Sequence, residues 1–331
     1  KFELNEKTDY KKGVLGIFYI PNNQLIAYLN YSGEFVKAIR DNVTSSNLNF
    51  CEIENVSELG DFNRVKEIYS RNQATRFFNN ITFTKFKVKK SSIISKFDEL
   101  IQREFNWYKK VSKLGFKDIP LNFHLDNENV LTLEKVKGRN IFDINEEKEL
   151  LDYTKKCFFS LSNLHSLGNI LACKNSLKEV YLNKTIDRLN LVINLLPSKY
   201  KKLIINHKEC KNLIAYKNWE TRLSEIFLNV NEVEFFTPIH GDPTFSNNLM
   251  RYNNQICHID PRGYFYNTDI YGDPRYDLAK LLYSVKGGYD FFNRKLYEYE
   301  VNGNQYEYKL WRNEKLFVSS IKWLENNLKN L

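Results

Sequence analysis

Hydrophobic and polar residues follow two different periods along the chain, and the period changes near residue 140. Before this point, short runs alternate apolar with polar residues, which is typical of half-buried β-strands. After it, apolar residues recur at every third or fourth position, which is typical of helices that bury one face. The sequence therefore predicts an α+β protein with a small β-rich lobe followed by a mainly helical lobe.

The small lobe is predicted to cover residues 76–138. Its pattern contains a strand at 81–90 (ITFTKFKVKK), a helix at 93–113 and a second strand at 129–138 (NVLTLEKVKG). The strands are rich in β-branched and aromatic residues, whereas the helix repeats its apolar residues with the period of one buried face.

The helical lobe is predicted to cover residues 139–331. Helical spacing occurs in five segments of this lobe: 147–166, 184–195, 212–229, 276–286 and 309–329. Residues 1–75 have a different pattern, in which short β-like runs are separated by turn formers. We therefore expect a β-containing N-terminal extension before the two lobes.

Composition excludes several classes of protein. Hydrophobic residues make up 42% of the chain, enough for packed cores, and no run approaches the roughly 18 apolar residues of a membrane helix. The net charge of +9 is carried mostly by lysines dispersed among acids, so we predict no nucleic-acid binding. The charged N-terminus and the five cysteines without a CxxC pair favour a cytoplasmic protein. Met250 is the only methionine, so we expect the chain to be part of a longer protein.

Two segments of the helical lobe combine carboxylates with an amide. In HGDPTFSNN (240–248), Asp242 is followed five residues later by Asn247, and Asp260 ends the apolar run QICHI just before Pro-Arg-Gly. Phosphoryl transfer from a nucleotide needs a carboxylate that accepts a hydroxyl proton, and oxygen ligands that hold Mg²⁺. These segments contain the residue types for both tasks.

Together with GDPRYDLAKL (272–281), the segments HGDPTFSNN and HIDPRG resemble the catalytic region of the aminoglycoside phosphotransferase and choline kinase superfamily, whose fold is similar to that of protein kinases. The resemblance covers the chain from about Arg76 to the C-terminus. It implies a protein-kinase-like two-lobe fold, ATP or GTP as phosphate donor, Asp242 as catalytic base, and Asn247 and Asp260 as Mg²⁺ ligands.

Two further residues are expected to support the catalytic loop. His240 is predicted to hold the loop by hydrogen bonds to neighbouring backbone, because Asp242 is already positioned as the base. Asp277 resembles the family residue that braces the same loop, and a plain acid on the helix surface is the alternative.

A kinase-like small lobe also needs a lysine for the nucleotide phosphates and a helical glutamate that fixes it. Glu104 falls within the apolar stripe of the helix 93–113, and a carboxylate on a buried face needs a cationic partner. Two-residue alternation in the strand turns Lys90 inward, so Lys90 is the predicted partner. Lys89 is the runner-up, because a bulge would exchange the two faces, and a solvated lysine run beside a surface glutamate is the alternative.

The nucleotide base and phosphates require further groups. The stretch LTLEKVKGRN resembles the hinge of the family, which implies that backbone groups near Glu134 and Val136 pair with the adenine edge. No Gly-rich loop precedes Lys90, and we expect Asn79 and Asn80 to form the turn of the phosphate cover instead.

The acceptor is predicted from polar residues near the catalytic motifs. Arg262, Asp269 and Arg275 are candidates for binding a sugar or polyol, which favours a kinase of capsule or cell-surface polysaccharide biosynthesis. Choline or ethanolamine, bound by aromatic residues, is the alternative acceptor. A catalytically inactive nucleotide-binding module is the alternative function.

Residues 1–75 resemble the closing segment of a sugar-phosphate nucleotidyltransferase, through the β-like runs of 12–56 and the turn SELGD. This resemblance implies a nucleotidyltransferase domain fused upstream of the kinase. The alternative is that the same residues form a β-rich extension of the small lobe.

Overall fold

The computed structural model describes residues 79–228 and 232–329. The predictions for residues 1–75, including the nucleotidyltransferase segment, lie outside this part of the chain. Within it, a sheet and one long helix form a small lobe, and most of the remaining residues form helices and short sheets. The predicted α+β class, with a small β-rich lobe before a mainly helical lobe, is confirmed.

The sheet of the small lobe is antiparallel, with the strand order β1-β2-β4-β3. Helix α1 (Asp98–Lys113) packs against it, and Trp107 and Tyr108 are fully buried in the shared core. The four strands are β1 (Asn79–Phe83), β2 (Lys87–Ser92), β3 (Phe123–Leu125) and β4 (Leu131–Glu134).

The predicted single strand at 81–90 is wrong. Thr84 accepts from the Lys87 N–H with its side chain at 3.0 Å and donates its own N–H to the Lys87 carbonyl at 2.8 Å, which closes a turn between β1 and β2. Such local side-chain bonds compete with a continuous strand. Asn79 and Asn80 consequently lie within β1 rather than in a turn, and the helix begins at Asp98, after a 3₁₀ turn at Ser95–Phe97.

Long helices form the core of the second lobe. Helices α2, α6 and α8 contact one another and bury Leu150, Leu161, Leu281 and Leu324. A π-helical segment, Lys178–Asn183, joins α3 to α4. The helices of this lobe are α2 (Glu147–His165), α3 (Lys174–Leu177), α4 (Lys184–Val192), α5 (Trp219–Leu228), α6 (Pro274–Val285), α7 (Tyr289–Asn293) and α8 (Glu314–Leu328).

Two three-stranded sheets hold the segments HGDPTFSNN and HIDPRG. The first sheet has the strand order β11-β10-β5. Met250 of β10 pairs with Arg139 of β5, so the chain that leaves the small lobe is bonded to the strand that follows HGDPTFSNN. The other sheet has the order β12-β9-β6. Their strands are β5 (Gly138–Arg139), β6 (Ile170–Leu171), β9 (Phe235–Pro238), β10 (Asn248–Arg251), β11 (Ile256–His258) and β12 (Tyr271–Gly272).

A further four-stranded sheet was not predicted within the mainly helical lobe. Its strands are β7 (Lys202–Ile205), β8 (Lys208–Lys211), β13 (Tyr297–Asn302) and β14 (Gln305–Leu310), in the order β13-β14-β7-β8. The helices predicted at 212–229 and 309–329 begin only at Trp219 and Glu314. None of the described helices has the length and apolar composition needed to cross a membrane.

Candidate active site

The carboxylate of Asp277, in the first turn of α6, anchors the loop that joins β9 to β10. The backbone N–H groups of His240 and Gly241 donate to its two oxygens at 2.8 and 2.7 Å. His165 Nε2 lies 3.1 Å from the same carboxylate, and Asp277 is fully buried. Hydrogen bonds to a buried carboxylate are strong, so Asp277 fixes the loop and is not a surface acid.

His240 connects this loop to the segment that carries Asp260. Its Nε2 lies 3.1 Å from the Ile259 carbonyl, and its Nδ1 lies 3.2 Å from the Asp242 N–H. Burial lowers the pKa of His240, so the neutral ring donates through Nε2 and accepts through Nδ1. Both ring nitrogens are therefore used for backbone contacts.

Asp242 and Asn247 lie at opposite ends of the loop and are bonded to each other. The Asn247 side-chain N–H donates to the Asp242 carbonyl at 2.9 Å, and the Ile259 N–H donates to the Asn247 carbonyl at 2.9 Å. The carboxylate of Asp242 is 3.1 Å from the Lys280 ammonium of α6. The loop thus presents a half-buried carboxylate and the oxygen of an amide whose N–H is already bonded.

The ammonium of Lys90 lies between two carboxylates, Glu104 of α1 and Asp260 after β11. Burial opposes the charged form of Lys90, but the charges of Asp260 and Glu104 outweigh burial and raise its pKa. Asp260 has a left-handed backbone with φ of 54°, and its N–H donates to the Tyr108 hydroxyl at 3.2 Å. One lysine therefore links the sheet, α1 and the helical lobe.

The pairing register between β2 and β4 shows which of the two lysines of β2 is buried. Lys90 pairs with Leu131 and is buried, whereas Lys89 pairs with Thr132 and is exposed. Lys90 is therefore the lysine that faces Glu104. Its role in binding nucleotide phosphates stays a prediction.

Asn247 and Asp260 have the donor chemistry that Mg²⁺ requires. A carboxylate and an amide oxygen are hard ligands, and Mg²⁺ usually keeps several waters and binds phosphates as well. The Asp260 side chain is 29% exposed, so it is accessible to a hydrated ion. These residues fit the predicted metal.

The predicted hinge is the three-residue connection 135–137 between β4 and β5. Glu134 uses its side chain to bind Arg251 at 2.7 Å and its N–H to bind the Asn122 carbonyl at 2.9 Å. Among the described residues, none accepts the N–H of Val136. The connection therefore presents a backbone donor, as a hinge that binds an adenine edge requires.

The three acceptor candidates lie in different surroundings. Arg262 packs against Gly241 and donates to the Tyr276 hydroxyl at 3.0 Å, so it lies beside the catalytic loop. Asp269 forms an ion pair with Lys110. Arg275 binds Asp273, the N-cap residue of α6. Of the three, only Arg262 is joined to the Asp242 loop by these contacts.

Gly241 explains part of this geometry. Its φ is 82°, a left-handed conformation that other residues rarely adopt, and a Cβ there would lie 2.7 Å from Cβ of Arg262. The glycine of the HGD motif thus allows the Arg262 side chain to approach the loop.

Sequence reasoning missed Lys280 and Tyr108. Lys280 follows Asp277 by three residues on α6, and residues three apart on a helix share a face. Because Asp277 was expected to brace the Asp242 loop, this spacing indicated that Lys280 also faces that loop. Tyr108 lies on the apolar face of α1, where nothing in the sequence indicates that its hydroxyl binds the Asp260 backbone.

No protein-family model and no curated protein matches the chain. Among solved structures, it is similar to the ADP-bound aminoglycoside phosphotransferase APH(2'')-Ib, with 15% identity, a TM-score of 0.46, and coverage of 80% of this chain and 83% of that one. For the gentamicin complex of APH(2")-IIa the identity is 15%, the TM-score 0.43 and both coverages 84%. For the choline kinase LicA from Streptococcus pneumoniae the values are 15%, 0.37, 78% and 84%.

Proposed function

We propose that the protein is a small-molecule kinase that uses ATP or GTP with Mg²⁺ to phosphorylate a hydroxyl group. The observation that carries the proposal is the position of the Lys90 ammonium between Glu104 and Asp260. In kinase-type phosphoryl transfer, a lysine in this position binds nucleotide phosphates, the helical glutamate fixes it, and the second carboxylate holds metal. A purely structural ion pair needs only one of these carboxylates.

The residues divide the reaction between them. The acceptor oxygen attacks the γ-phosphorus while Asp242 takes the hydroxyl proton, and the bond from phosphorus to the β,γ-bridging oxygen breaks to release the nucleoside diphosphate. Lys90 binds the donor phosphates. Asn247 and Asp260 would hold the Mg²⁺, which would supply positive charge to those phosphates. Backbone groups of Glu134 and Val136 bind the adenine edge.

The catalytically inactive alternative is disfavoured by the intact site. Asp242, Asn247 and Asp260 are all present, and the Asn247 side chain is tied to the Asp242 backbone. A sugar, polyol or amino alcohol is the proposed acceptor class, with choline or ethanolamine as the alternative. A role in capsule or cell-surface polysaccharide biosynthesis, and an upstream nucleotidyltransferase domain, stay predictions from the sequence.

Thermal unfolding with nucleotide tests the proposal. A ligand that binds only the folded state stabilises it, by about 2.7 kcal/mol at a hundredfold excess over its Kd. We expect ATP or GTP with Mg²⁺ to raise the Tm of the wild type, and Asp260→Asn to lose most of this increase. No increase at millimolar nucleotide would contradict the kinase assignment.

A further inference from the structure

Asp242 lies among positive charges. Its carboxylate is 3.1 Å from Lys280, whose ammonium also lies 5.7 to 6.0 Å from the ring centroids of Tyr276, Tyr283 and Tyr289. These aromatic faces fix the ammonium without neutralising it. Lys280 is thus a permanent positive charge beside the proposed base.

Arg262 adds a second positive charge beside the same loop. Its guanidinium donates to the Tyr276 hydroxyl at 3.0 Å, and its backbone N–H donates to the His240 carbonyl at 2.9 Å. The Tyr276 ring lies 6.0 Å from the ring of Tyr181, in the π-helical segment. Tyr276 therefore connects Arg262 to the helical turns that precede α4.

Lys184 and Arg188, one turn apart on α4, extend the group of positive charges. The pKa of Lys184 falls from 10.5 to about 7, with burial as the largest cause. The next causes are the charges of Arg262, Arg188 and Lys280, which disfavour another positive charge, whereas the charge of Asp242 acts in the opposite direction and is the smallest of these causes. We call these four basic residues and Asp242 the Asp242 cluster.

The cluster has more positive than negative charge. In the described part of the chain, no carboxylate forms an ion pair with Lys184, Arg188 or Arg262, and Asp242 pairs with Lys280. Clustered like charges destabilise a folded protein unless a ligand of opposite charge binds them. The charge of this place therefore favours a ligand of negative charge.

The acceptor is the molecule that reaches this place. A general base must lie within hydrogen-bond distance of the proton it removes, so the acceptor hydroxyl lies against Asp242. Groups on the rest of a small acceptor then fall within reach of the basic residues around Asp242. A cationic acceptor would be repelled there, because like charges in contact cost binding energy.

We propose that the acceptor carries a phosphate or carboxylate group, which Lys184, Arg188 and Arg262 bind while its hydroxyl lies against Asp242. The inference rests on the proposed kinase function and names its substrate class: a hydroxyl compound with negative charge, such as a sugar phosphate or a sugar acid. It excludes choline and aminoglycoside-like cations as preferred acceptors.

Sulfate binding tests the anion site directly. Sulfate is a dianion that does not titrate near neutral pH, and a saturating non-hydrolysable nucleotide with Mg²⁺ keeps it from the nucleotide phosphate site. We expect calorimetry to detect sulfate binding by the wild type, and Arg188→Gln to weaken it about tenfold, the scale of one charged hydrogen bond. Lys178→Gln, an exposed lysine two turns before α4, is the matched control that leaves binding unchanged.

Each outcome of this titration decides one point. Absence of sulfate binding in the presence of bound nucleotide, or unchanged binding in Arg188→Gln, overturns the inference. Failure of the nucleotide itself to bind overturns the kinase function instead, so the two failures are distinguishable. At pH 8, sulfate binding should take up protons in the wild type and not in Lys184→Met, because a nearby anion raises the pKa of the lysine.

Turnover of different acceptors shows whether the anionic group of the preferred acceptor is a phosphate or a carboxylate. Acceptors are compared in sets with one carbon skeleton: glucose, glucose 6-phosphate, glucuronate and glucosamine, then glycerol, glycerol 3-phosphate, glycerate and 3-amino-1,2-propanediol. We expect an anionic member to give the highest kcat/KM, and Arg188→Gln to raise its KM about tenfold with little change in the nucleotide KM. A higher kcat/KM for a neutral or cationic member, or a raised nucleotide KM alone, overturns the inference.

Discussion

The cluster around Lys90 and the cluster around Asp242 both combine carboxylates with basic side chains. The first has an excess of negative charge, and the second has an excess of positive charge. Lys90 is one ammonium between two carboxylates, Glu104 and Asp260. The Asp242 cluster has one carboxylate and four basic residues. The first pattern retains negative charge, which suits the proposed metal ion, whereas the second has excess positive charge, which suits the proposed anion.

The difference also appears in the two lysine pKa values. Burial acts against the charge of both Lys90 and Lys184. Two carboxylates reverse its effect at Lys90 and raise the pKa, whereas neighbouring cations add to its effect at Lys184 and lower the pKa to about 7. Neighbouring charge, rather than burial alone, sets the protonation state in each cluster.

Removal of Lys90 should have the largest effect. Lys90→Ala leaves buried Glu104 without its ammonium, which typically costs about 3–5 kcal/mol of stability, and also removes the proposed phosphate contact. We expect loss of stability by chemical denaturation and near-complete loss of nucleotide turnover. Lys89→Ala, one residue earlier and exposed, should change both only slightly, and the reverse ranking would contradict the assigned strand face.

Asp242 and Asp260 should differ in binding and agree in lost catalysis. Asp242→Asn should keep Mg²⁺-dependent nucleotide binding while turnover falls by ~10² or more, the usual scale for a general base. Asp260→Asn should lose both, because it removes a proposed metal ligand. Calorimetric titration with a non-hydrolysable nucleotide, beside a turnover assay, measures this. Near-normal turnover of Asp242→Asn would show that HGDPTFSNN has a structural role only.

The loop anchor should contribute less than either cluster. Asp277→Asn retains one acceptor oxygen for two backbone donors, so we expect a loss of about 1–3 kcal/mol in the free energy of unfolding. Asp152→Asn, in an exposed ion pair one turn from Lys156, should cost no more than about 0.5 kcal/mol. Equal effects in urea unfolding would mean that the anchor does not hold the loop.

Lys184 should make the stability of the fold depend on pH. Its pKa is about 7 in the folded chain and about 10.5 when unfolded, so between these values the unfolded state binds the extra proton. Stability due to this group therefore rises with pH across that window. We expect Lys184→Met to be more stable than the wild type at pH 7, with a difference that shrinks towards pH 10. A constant difference would show that the pKa is not shifted.

The helices were predictable where one face is continuously apolar. The predicted segment 147–166 corresponds to α2 (Glu147–His165), and 184–195 corresponds to α4 together with the 3₁₀ turn that ends at Leu195. The β13–β14 hairpin was missed because most of its residues are exposed, so it lacks an apolar face. The Gly303-Asn304 pair between its strands, with φ of 62° at the glycine, was the available signal.

The sequence predicted only those site residues that belong to a motif or that strand alternation turns inward. Asp242, Asn247 and Asp260 belong to motifs, and alternation indicated the inward face of Lys90. The Asp242 cluster was not predicted, because α4 is about 60 residues from the catalytic loop along the chain and only tertiary folding brings their charges together. Arg262 was proposed from its polarity, without knowledge of its neighbours.

The pairing of β5 with β10 has a mechanical consequence. A Cβ at Gly138 would lie 2.6 Å from the Met250 carbonyl, so the chain just after the hinge is held in direct backbone contact with the catalytic hairpin. The ion pair of Lys90 with Asp260 and the bond from the Trp107 ring N–H to the Ile239 carbonyl are two further links between the small lobe and the helical lobe. A rotation of one lobe against the other would therefore have to break at least one of these contacts.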